Sequence, residues 1–173
     1  QRTRDIARAL YESVHDLPII SPHGHTDPSW FSLNLPFEDP VSLFILPDHY
    51  LFRMLYSQGI RLSDIGITPK RSNRVDRPRE IWRLFAEKYH LFRGTPSRVW
   101  LDHVFSEVFD LQEALTVETA DRYFEHISEA LQQPDYLPRT LFGRFNIELL
   151  ATTESPLDTL PHHDLLMSDP WPG

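Results

Sequence analysis

Two histidines separated by one glycine, His23-Gly24-His25, form the first group of residues in this sequence with the chemistry of a site. They follow a short apolar segment, and residues two apart at the end of a strand can direct their side chains the same way. Imidazole is the commonest protein ligand of transition metals, and glycine leaves room for a close approach. The pattern predicts a divalent-metal site, and the alternative is two loop histidines without a shared role.

A second cluster, Asp48-His49-Tyr50 followed by Arg53, combines an imidazole, a phenol and a guanidinium. Near the start of a helix, Tyr50 and Arg53 are three residues apart and therefore share a face. A phenol and an imidazole can transfer protons, and a guanidinium can hold a carboxylate. The other interpretation is a helix-capping aspartate, a half-buried aromatic residue and a surface arginine.

The third cluster is the segment 152–156, with the sequence Thr-Thr-Glu-Ser-Pro, which closes a second apolar segment with hydroxyls and a carboxylate. The same residue types also make ordinary turns and helix caps. A histidine pair, His162-His163, occurs shortly afterwards. Adjacent residues on a helix do not face each other, so we assign this pair a structural role.

The elements that must position these clusters occur in the order strand, helices, strand. Residues 18–21 are short and apolar and predict a buried strand that leads into the first histidine pair. Residues 147–153 return to strand character and lead into the third cluster. Between them, prolines, glycines and capping residues divide a long helical stretch. We predict helices over residues 41–46, 48–58, 78–93, 95–108, 116–131 and 137–145.

Apolar spacing also predicts which faces of these helices meet the core. In the helix expected from the cap Thr116 onward, the predicted core stripe is Ala120, Tyr123, Phe124, Ile127 and Leu131. In the preceding helix, the predicted apolar side consists of Val99, Trp100, Val104 and Val108.

The chain divides by these patterns into three segments. Residues 1–28 hold a first helix, the first strand and the histidine pair, and residues 146–173 hold the second strand and the segment after it. Because a βαβ crossover needs only about a dozen residues, most of 29–145 is predicted to be a helical insertion. Within it, the Arg-rich stretch 70–79 is interpreted as a solvated loop. The first residue is not Met, and we expect the chain to be part of a longer protein.

Composition limits the classes of partner. Lys and Arg number 17 against 25 Asp and Glu, a net charge of −8, and there is no basic block, which argues against nucleic acid and anionic membranes as partners. No apolar run approaches the roughly 18 residues that span a bilayer. The chain has no cysteine, which excludes disulfides and thiolate metal sites. A cytoplasmic protein is the expectation.

In their order, the three clusters resemble the uronate isomerase family of the amidohydrolase superfamily. The resemblance runs from Leu17-Pro18-Ile19-Ile20 into His-x-His, then Asp-His-Tyr-x-x-Arg, then Thr-Thr-x-x-Pro, and covers the whole chain. Asp-His-Tyr with the downstream arginine is more particular to this family than His-x-His, which the superfamily shares. The chain departs from the family pattern at Ser21-Pro22, Gly24, Pro47 and Ser155.

The resemblance implies an α/β fold, a metal-dependent (β/α)8 barrel of the TIM type, of which this chain holds only the first strands and a large helical insertion. It implies interconversion of hexuronates and ketohexuronates, such as glucuronate and fructuronate, through an enediol. His23 and His25 would bind a divalent metal, zinc or manganese, with His49 and Tyr50 as acid/base or hydrogen-bonding groups. Arg53, with His49, would bind the substrate. We also expect a homo-oligomer, and no activity from this chain alone.

Two other functions compete with this one. A hydrolase of the same superfamily would use its metal to activate water, and turnover of a uronate rather than an amide or ester separates the two. A non-catalytic helical interaction protein would leave His23 dispensable. The strand–helices–strand order opposes that interpretation, because it leaves strand edges that a complete barrel would cover.

Overall fold

The structure is a computed structural model that describes residues 2–67 and 76–171. Most of the predicted solvated loop 70–79 lies outside these ranges. The regular elements are α1 (Arg2–Glu12), β1 (Ile19–Ser21), α2 (Ser29–Leu33), α3 (His49–Ser57), α4 (Pro78–Lys88), α5 (Pro96–His103), α6 (Ala120–Leu131), α7 (Pro138–Arg144), β2 (Ile147–Leu150) and α8 (Pro161–Ser168). Short π-helical segments cover Val41–Ile45 and Val104–Val108, and 3-10 turns cover Leu62–Ile65, Tyr89–Phe92 and Pro134–Tyr136.

The predicted order of strand, helices and strand is confirmed. β1 and β2 pair in parallel, with Ile19 opposite Ile147 and Ser21 opposite Leu150, and with an irregularity in the register after Ile19. The prediction that the first strand is buried is wrong for this chain, because Ile19 and Ile20 are 49% and 60% exposed. Parallel strands become buried only when other layers cover both faces of their sheet, and within the described residues both strands keep exposed positions.

By its internal contacts the chain forms two compact units. The first unit consists of residues up to 35 and from 134 onward, and the second of 36–133. The predicted insertion, 29–145, is wider than the second unit, because α2 and α7 contact elements of the first. That the three predicted segments, 1–28, 29–145 and 146–173, correspond to domains stays a prediction.

The first unit contains α1, both strands, α2, α7 and α8. α1 has no buried residue and ends at Glu12, where the Ser13 hydroxyl donates to the Leu10 carbonyl at 2.7 Å and competes with helix continuation. α2 packs against α7 and α8. This unit is therefore held more by hydrogen bonds and helix contacts than by an apolar interior.

The second unit contains the hydrophobic core. Apart from the prolines Pro40 and Pro138, every buried aliphatic or aromatic side chain in the described residues lies between Val41 and Leu131. α4 packs against α6, and the indole Nε1 of Trp82 donates to the Ala120 carbonyl at 3.0 Å. Phe105 contacts the rings of Trp82, Tyr89 and Tyr123. Closely packed aromatic residues from several helices thus form one core.

Within this unit, two of the predicted helix features are confirmed and two are wrong. The core stripe of α6 is buried along its whole length. Its predicted cap, Thr116, instead precedes the helix, and its N–H donates to the Thr119 hydroxyl at 2.9 Å. Asp48 caps α3 as predicted. The predicted apolar side of α5 is exposed at Val99 and Trp100, by 70% and 44%.

The face of α5 was misplaced because the winding changes. The buried residues there are Leu101, Phe105 and Phe109, and the helix passes from α to π winding at Val104. A 3.6-residue stripe drawn across such a junction does not stay on one face. No helix in the described parts of the chain is long and apolar enough to cross a bilayer.

Candidate active site

In the first unit, the histidine pair directly follows β1. The strand's last residue, Ser21, accepts the Ala151 N–H at 2.8 Å on its carbonyl, which extends the parallel pairing beyond β2. The Ser21 hydroxyl donates to the His23 carbonyl at 3.3 Å. Because chemistry in parallel sheets gathers at the carboxyl ends of strands, His23 and His25 lie at the edge where a site is expected.

The two imidazoles are neighbours. Their ring centroids lie 5.2 Å apart with the rings at 88° to each other, and both residues are exposed. The sequence prediction that residues two apart direct their side chains to one region is confirmed. That the two imidazoles bind a metal stays a prediction.

The chemistry of this pair fits a divalent cation as part of a larger ligand set. Imidazoles are good ligands for zinc, whereas manganese prefers oxygen ligands, and a catalytic zinc site usually has three protein ligands. Among residues 2–67 and 76–171, no group of three or more His, Asp or Glu side chains is arranged to hold a metal. Within the described residues, the pair is therefore part of a metal site at most.

Two consecutive threonines come after β2 and make different contacts. The Thr153 hydroxyl donates to the Gly24 carbonyl at 2.7 Å, between the two histidines. The Thr152 hydroxyl lies 3.0 Å from His163 Nε2 on α8. Successive side chains along an extended segment point to opposite sides, so one threonine contacts the histidine loop and the other contacts a helix.

The second histidine pair joins α8 to two different elements. His162 Nδ1 lies 2.8 Å from the Ser32 hydroxyl of α2, and His163 Nε2 lies 3.6 Å from Glu154 Oε1. Adjacent helical positions thus face different neighbours, as the sequence predicted. Glu154 and both histidines line a cavity of about 220 Å³ beside the start of α8.

Arg139 fixes the last described residues onto the first unit. Its guanidinium donates to both Asp169 oxygens, at 3.0 and 2.8 Å, and to the Phe31 carbonyl at 2.7 Å. The guanidinium carbon also lies 4.9 Å from the centre of the Trp171 ring. The bond from Arg139, reinforced by the Trp171 N–H, holds the pKa of Asp169 below its usual value.

In the second unit, Asp48 positions the other candidate residues. Its Oδ1 accepts the N–H groups of Tyr50 and Leu51 at 2.7 and 3.3 Å, which caps α3. On the buried side of α3, Leu51 and Leu55 are completely inaccessible to solvent. The cap and these two leucines therefore fix both the start and the rotation of the helix.

The predicted catalytic residues lie on the exposed side of α3. The rings of His49 and Tyr50 are 4.2 Å apart at 34°, and Tyr50 is 64% exposed. Arg53 is exposed and has no ion pair or side-chain hydrogen bond within the described residues. The helix thus presents an imidazole, a phenol and an uncommitted guanidinium to solvent.

Sequence reasoning missed the contacts of Thr152, Thr153 and Arg139. The motif Thr-Thr was recognised, but its two partners depend on strand register and on where α8 returns. Nothing in the sequence distinguishes Arg139, because an isolated arginine in a short helix is ordinary. The Phe31-Asp169-Trp171 contacts could not be read from spacing, because they join distant parts of the sequence.

Comparison with known proteins identifies relatives along the whole chain. A family profile described as glucuronate isomerase matches residues 2–171. A uronate isomerase from Phenylobacterium zucineum is 60% identical over 171 residues, which are 99% of this chain and 36% of that protein. One from Xanthomonas euvesicatoria is 59% identical over 173 residues, again 99% of this chain and 36% of the relative.

Solved structures give the same result. A glucuronate isomerase from Caulobacter crescentus superposes with a TM-score of 0.89 at 54% identity, covering 98% of this chain and 35% of that one. A uronate isomerase from Thermotoga maritima superposes with a TM-score of 0.78 at 29% identity, covering 92% and 34%. The chain spans about a third of the length of the relatives that it matches.

Proposed function

This chain belongs to the glucuronate isomerase family, and from that membership we propose that it supplies the first part of an aldose–ketose isomerase acting on hexuronates. The reaction would interconvert glucuronate with fructuronate, or galacturonate with tagaturonate. The observation that carries the proposal is the family match over residues 2–171. The histidine pair, next to the parallel strand pair, adds to it.

The reaction moves a carbonyl from C1 to C2 without net oxidation. A base takes the C2 proton while the C1 carbonyl oxygen gains one, which forms the enediol. Return of a proton to C1 and loss of the C2 hydroxyl proton then complete the ketose. Such a site needs a proton carrier, an electrophile at the two oxygens and a cation for the C6 carboxylate.

Three residues of α3 would meet two of these needs. Tyr50 and His49 would carry or hydrogen-bond the moving proton, and Arg53 would hold the carboxylate. The exposure of all three, with Arg53 uncommitted within the described residues, supports these roles because nothing there competes for their functional atoms. A guanidinium pairs well with a carboxylate through two parallel hydrogen bonds.

His23 and His25 would hold a divalent cation, with zinc proposed first and manganese second. When bound, such a cation acts as a Lewis acid that polarises the substrate oxygens. The two imidazoles are the part of the ligand set that this chain contributes. Their ring centroids lie 5.2 Å apart, which supports a prearranged pair.

The proposed fold of the whole enzyme is a (β/α)8 barrel. Such a barrel takes about 250 residues before insertions, and β1 and β2 would be two of its strands. The residues that complete the site would come from the other strands. We therefore propose that this chain alone does not turn over substrate. A homo-oligomer and a cytoplasmic location stay predictions.

The comparisons favour neither alternative function. Every relative described above is a uronate or glucuronate isomerase, rather than a hydrolase or a non-catalytic protein. A uronate assay still separates the three directly.

The first experiment measures the intact mass of the naturally expressed protein. A glucuronate-to-fructuronate assay on the same material follows. We expect a mass well above 20.3 kDa, turnover of the uronate, and loss of turnover in His23→Ala. Unchanged turnover in His23→Ala would contradict the proposed role of the pair. A full-length protein with no uronate turnover would contradict the proposed function.

A further inference from the structure

The backbone that carries the two candidate metal ligands has few restraints of its own. Within the described residues, no backbone hydrogen bond joins residues 22–26 to another part of the chain. Two side-chain hydrogen bonds reach this loop: the Ser21 hydroxyl donates to His23 at 3.3 Å, and the Thr153 hydroxyl donates to Gly24 at 2.7 Å. The shorter bond is the stronger restraint.

The acceptor of the shorter bond lies in the middle of the pair. The Gly24 carbonyl belongs to the rigid peptide plane that joins Gly24 to His25. Holding that oxygen restrains the orientation of the plane, and so the path of the backbone between the two histidines. Thr153 therefore acts on the spacing of the imidazoles without touching either ring.

The glycine between the histidines lets the loop approach the second strand. A Cβ atom added at Gly24 would lie 3.3 Å from the Ala151 carbonyl oxygen, a tighter contact than side-chain carbons normally make. Ala151 itself donates to Ser21 at 2.8 Å. Next to the Ser21–Ala151 bond, the Thr153 hydroxyl thus holds the loop against the residues after β2, at a close approach that glycine favours.

From these contacts we infer that Thr153 is a positioning residue for the His23-Gly24-His25 metal-ligand pair. The inference rests on the proposed function for the identity of the site, although its main test requires no turnover. Thr152 does not share the role, because its hydroxyl lies beside His163 on α8. Groups that orient metal ligands typically change metal affinity by about 10- to 100-fold when removed, and Thr153, acting through the backbone, belongs at the lower end.

The test compares Thr153→Val with Thr153→Ser in the full-length protein. Valine keeps the shape of threonine but loses the hydroxyl, whereas serine keeps the hydroxyl. Thr140→Val is the matched control, since Thr140 is exposed on α7 and makes no side-chain hydrogen bond within the described residues. Zn²⁺ affinity is measured by competition with a chromophoric chelator, and kcat and KM for glucuronate are measured on the same samples.

We expect Thr153→Val to bind Zn²⁺ about tenfold more weakly than the wild type, with Thr153→Ser and Thr140→Val close to the wild type. Equal Zn²⁺ affinity in Thr153→Val and Thr140→Val would overturn the inference, as would a wild type that does not bind Zn²⁺. If Thr153→Val does not fold, Thr153→Ala takes its place, with thermal unfolding as the check on folding.

The two proposals fail separately. A Zn²⁺ affinity that depends on Thr153, in a protein that does not turn over glucuronate, would support the positioning role and contradict the isomerase. Normal glucuronate turnover, with Zn²⁺ affinity independent of Thr153, would support the isomerase and contradict the positioning role.

Discussion

Asp39 is the buried carboxylate among the described residues, and it organises the entry into the second unit. Its Oδ1 accepts the N–H groups of Val41 and Ser42 at 2.8 and 3.0 Å. The Ser42 hydroxyl in turn donates to the Asp39 carbonyl at 2.9 Å. This reciprocal arrangement satisfies the first free N–H groups of a helical segment whose residues Val41 and Ile45 are fully buried.

Replacement of Asp39 by alanine should therefore lower the free energy of unfolding by about 1–2 kcal/mol, the usual effect of losing a helix cap. Urea unfolding followed by far-UV circular dichroism measures the change. Asp39→Asn is the control, because asparagine also caps helices, and it should lose clearly less. Equal losses in the two variants would show that the charge, rather than the cap, stabilises the segment.

Among the core residues, Tyr89 is the group whose pKa is shifted most from its usual value. Its side chain is fully buried, and its hydroxyl donates to Asp102 at 2.8 Å. Burial first, and then the bond to Asp102, raise the pKa of the Tyr89 phenol well above its usual value of 10.0. The Arg98 guanidinium stacks 3.9 Å from the same ring and donates to Asp102 at 2.7 Å.

Stability should consequently fall in alkaline solution. Above pH 10 the phenol ionises in the unfolded chain while it stays protonated in the folded one, so the unfolded state is favoured as pH rises. One such proton gives a slope of about 1.4 kcal/mol per pH unit. Urea midpoints between pH 8 and 11 should show a shallower alkaline loss in Tyr89→Phe than in the wild type. Tyr56→Phe, at an exposed tyrosine, should match the wild type.

At the scale of elements, α6 shows which interactions hold a helix in place. Its apolar stripe is buried, including Ile127 at 0% exposure, whereas Asp121 on its outer side pairs with Arg83 of α4 in solvent. Arg83 lowers the pKa of Asp121 through a hydrogen bond, yet exposed ion pairs contribute little to stability. Burial of the stripe therefore dominates.

We expect Ile127→Ala to lower the free energy of unfolding by about 2–5 kcal/mol, because it leaves a cavity in a packed core. Asp121→Asn, in the same helix, should leave the urea midpoint almost unchanged. A midpoint shift for Asp121→Asn as large as that for Ile127→Ala would contradict this ranking and would assign the α4–α6 contact to the ion pair.

The predictability of the elements follows the same physics. The α6 stripe was predictable because its spacing is regular and its winding is uniform over Ala120–Leu131. The face of α5 was not, because the winding changes to π at Val104, which apolar spacing does not reveal. The cap Asp48 was predictable from its position before an apolar run. The start of α6 was not, because Thr116 and Thr119 both precede the helix and carry similar hydroxyls.

Within the candidate site, residue types and strand ends were predictable but tertiary partners were not. That the two histidines lie side by side was predictable from their spacing after a strand. The bond from Thr153 to Gly24 joins residues 129 apart in sequence. It depends on the β1–β2 register, which includes an irregularity after Ile19 that no local pattern indicates.

At the scale of the molecule, burial is unevenly shared between the two units. Apart from Pro138 of α7, the buried aliphatic and aromatic side chains of the described residues belong to the second unit, while Leu149 in β2 remains 50% exposed. Resistance to local opening follows buried apolar contacts. The two units of this chain should therefore differ in local stability.

Hydrogen exchange of the 173-residue chain measures that difference. We expect the slowest backbone amides in α4 and α6, and exchange in β1 and β2 that is faster by at least about tenfold, or 1.4 kcal/mol in opening free energy. Comparable protection of the Ile127 and Leu149 amides would contradict this expectation.

The Asn34 side chain accepts the Arg139 N–H at 3.1 Å, so the chain leaves the first unit and re-enters it at neighbouring points. Because its two attachment points are neighbours, the second unit adds only a small loop-closure cost to the folding of the first unit. That entropic cost grows only slowly with the length of the inserted segment. Evolution can therefore lengthen, trim or exchange the helices between these points while the parallel strand pair keeps its register. Differences in length among homologues should accumulate there, and not between Pro18 and Asp27 or between Ile147 and Glu154.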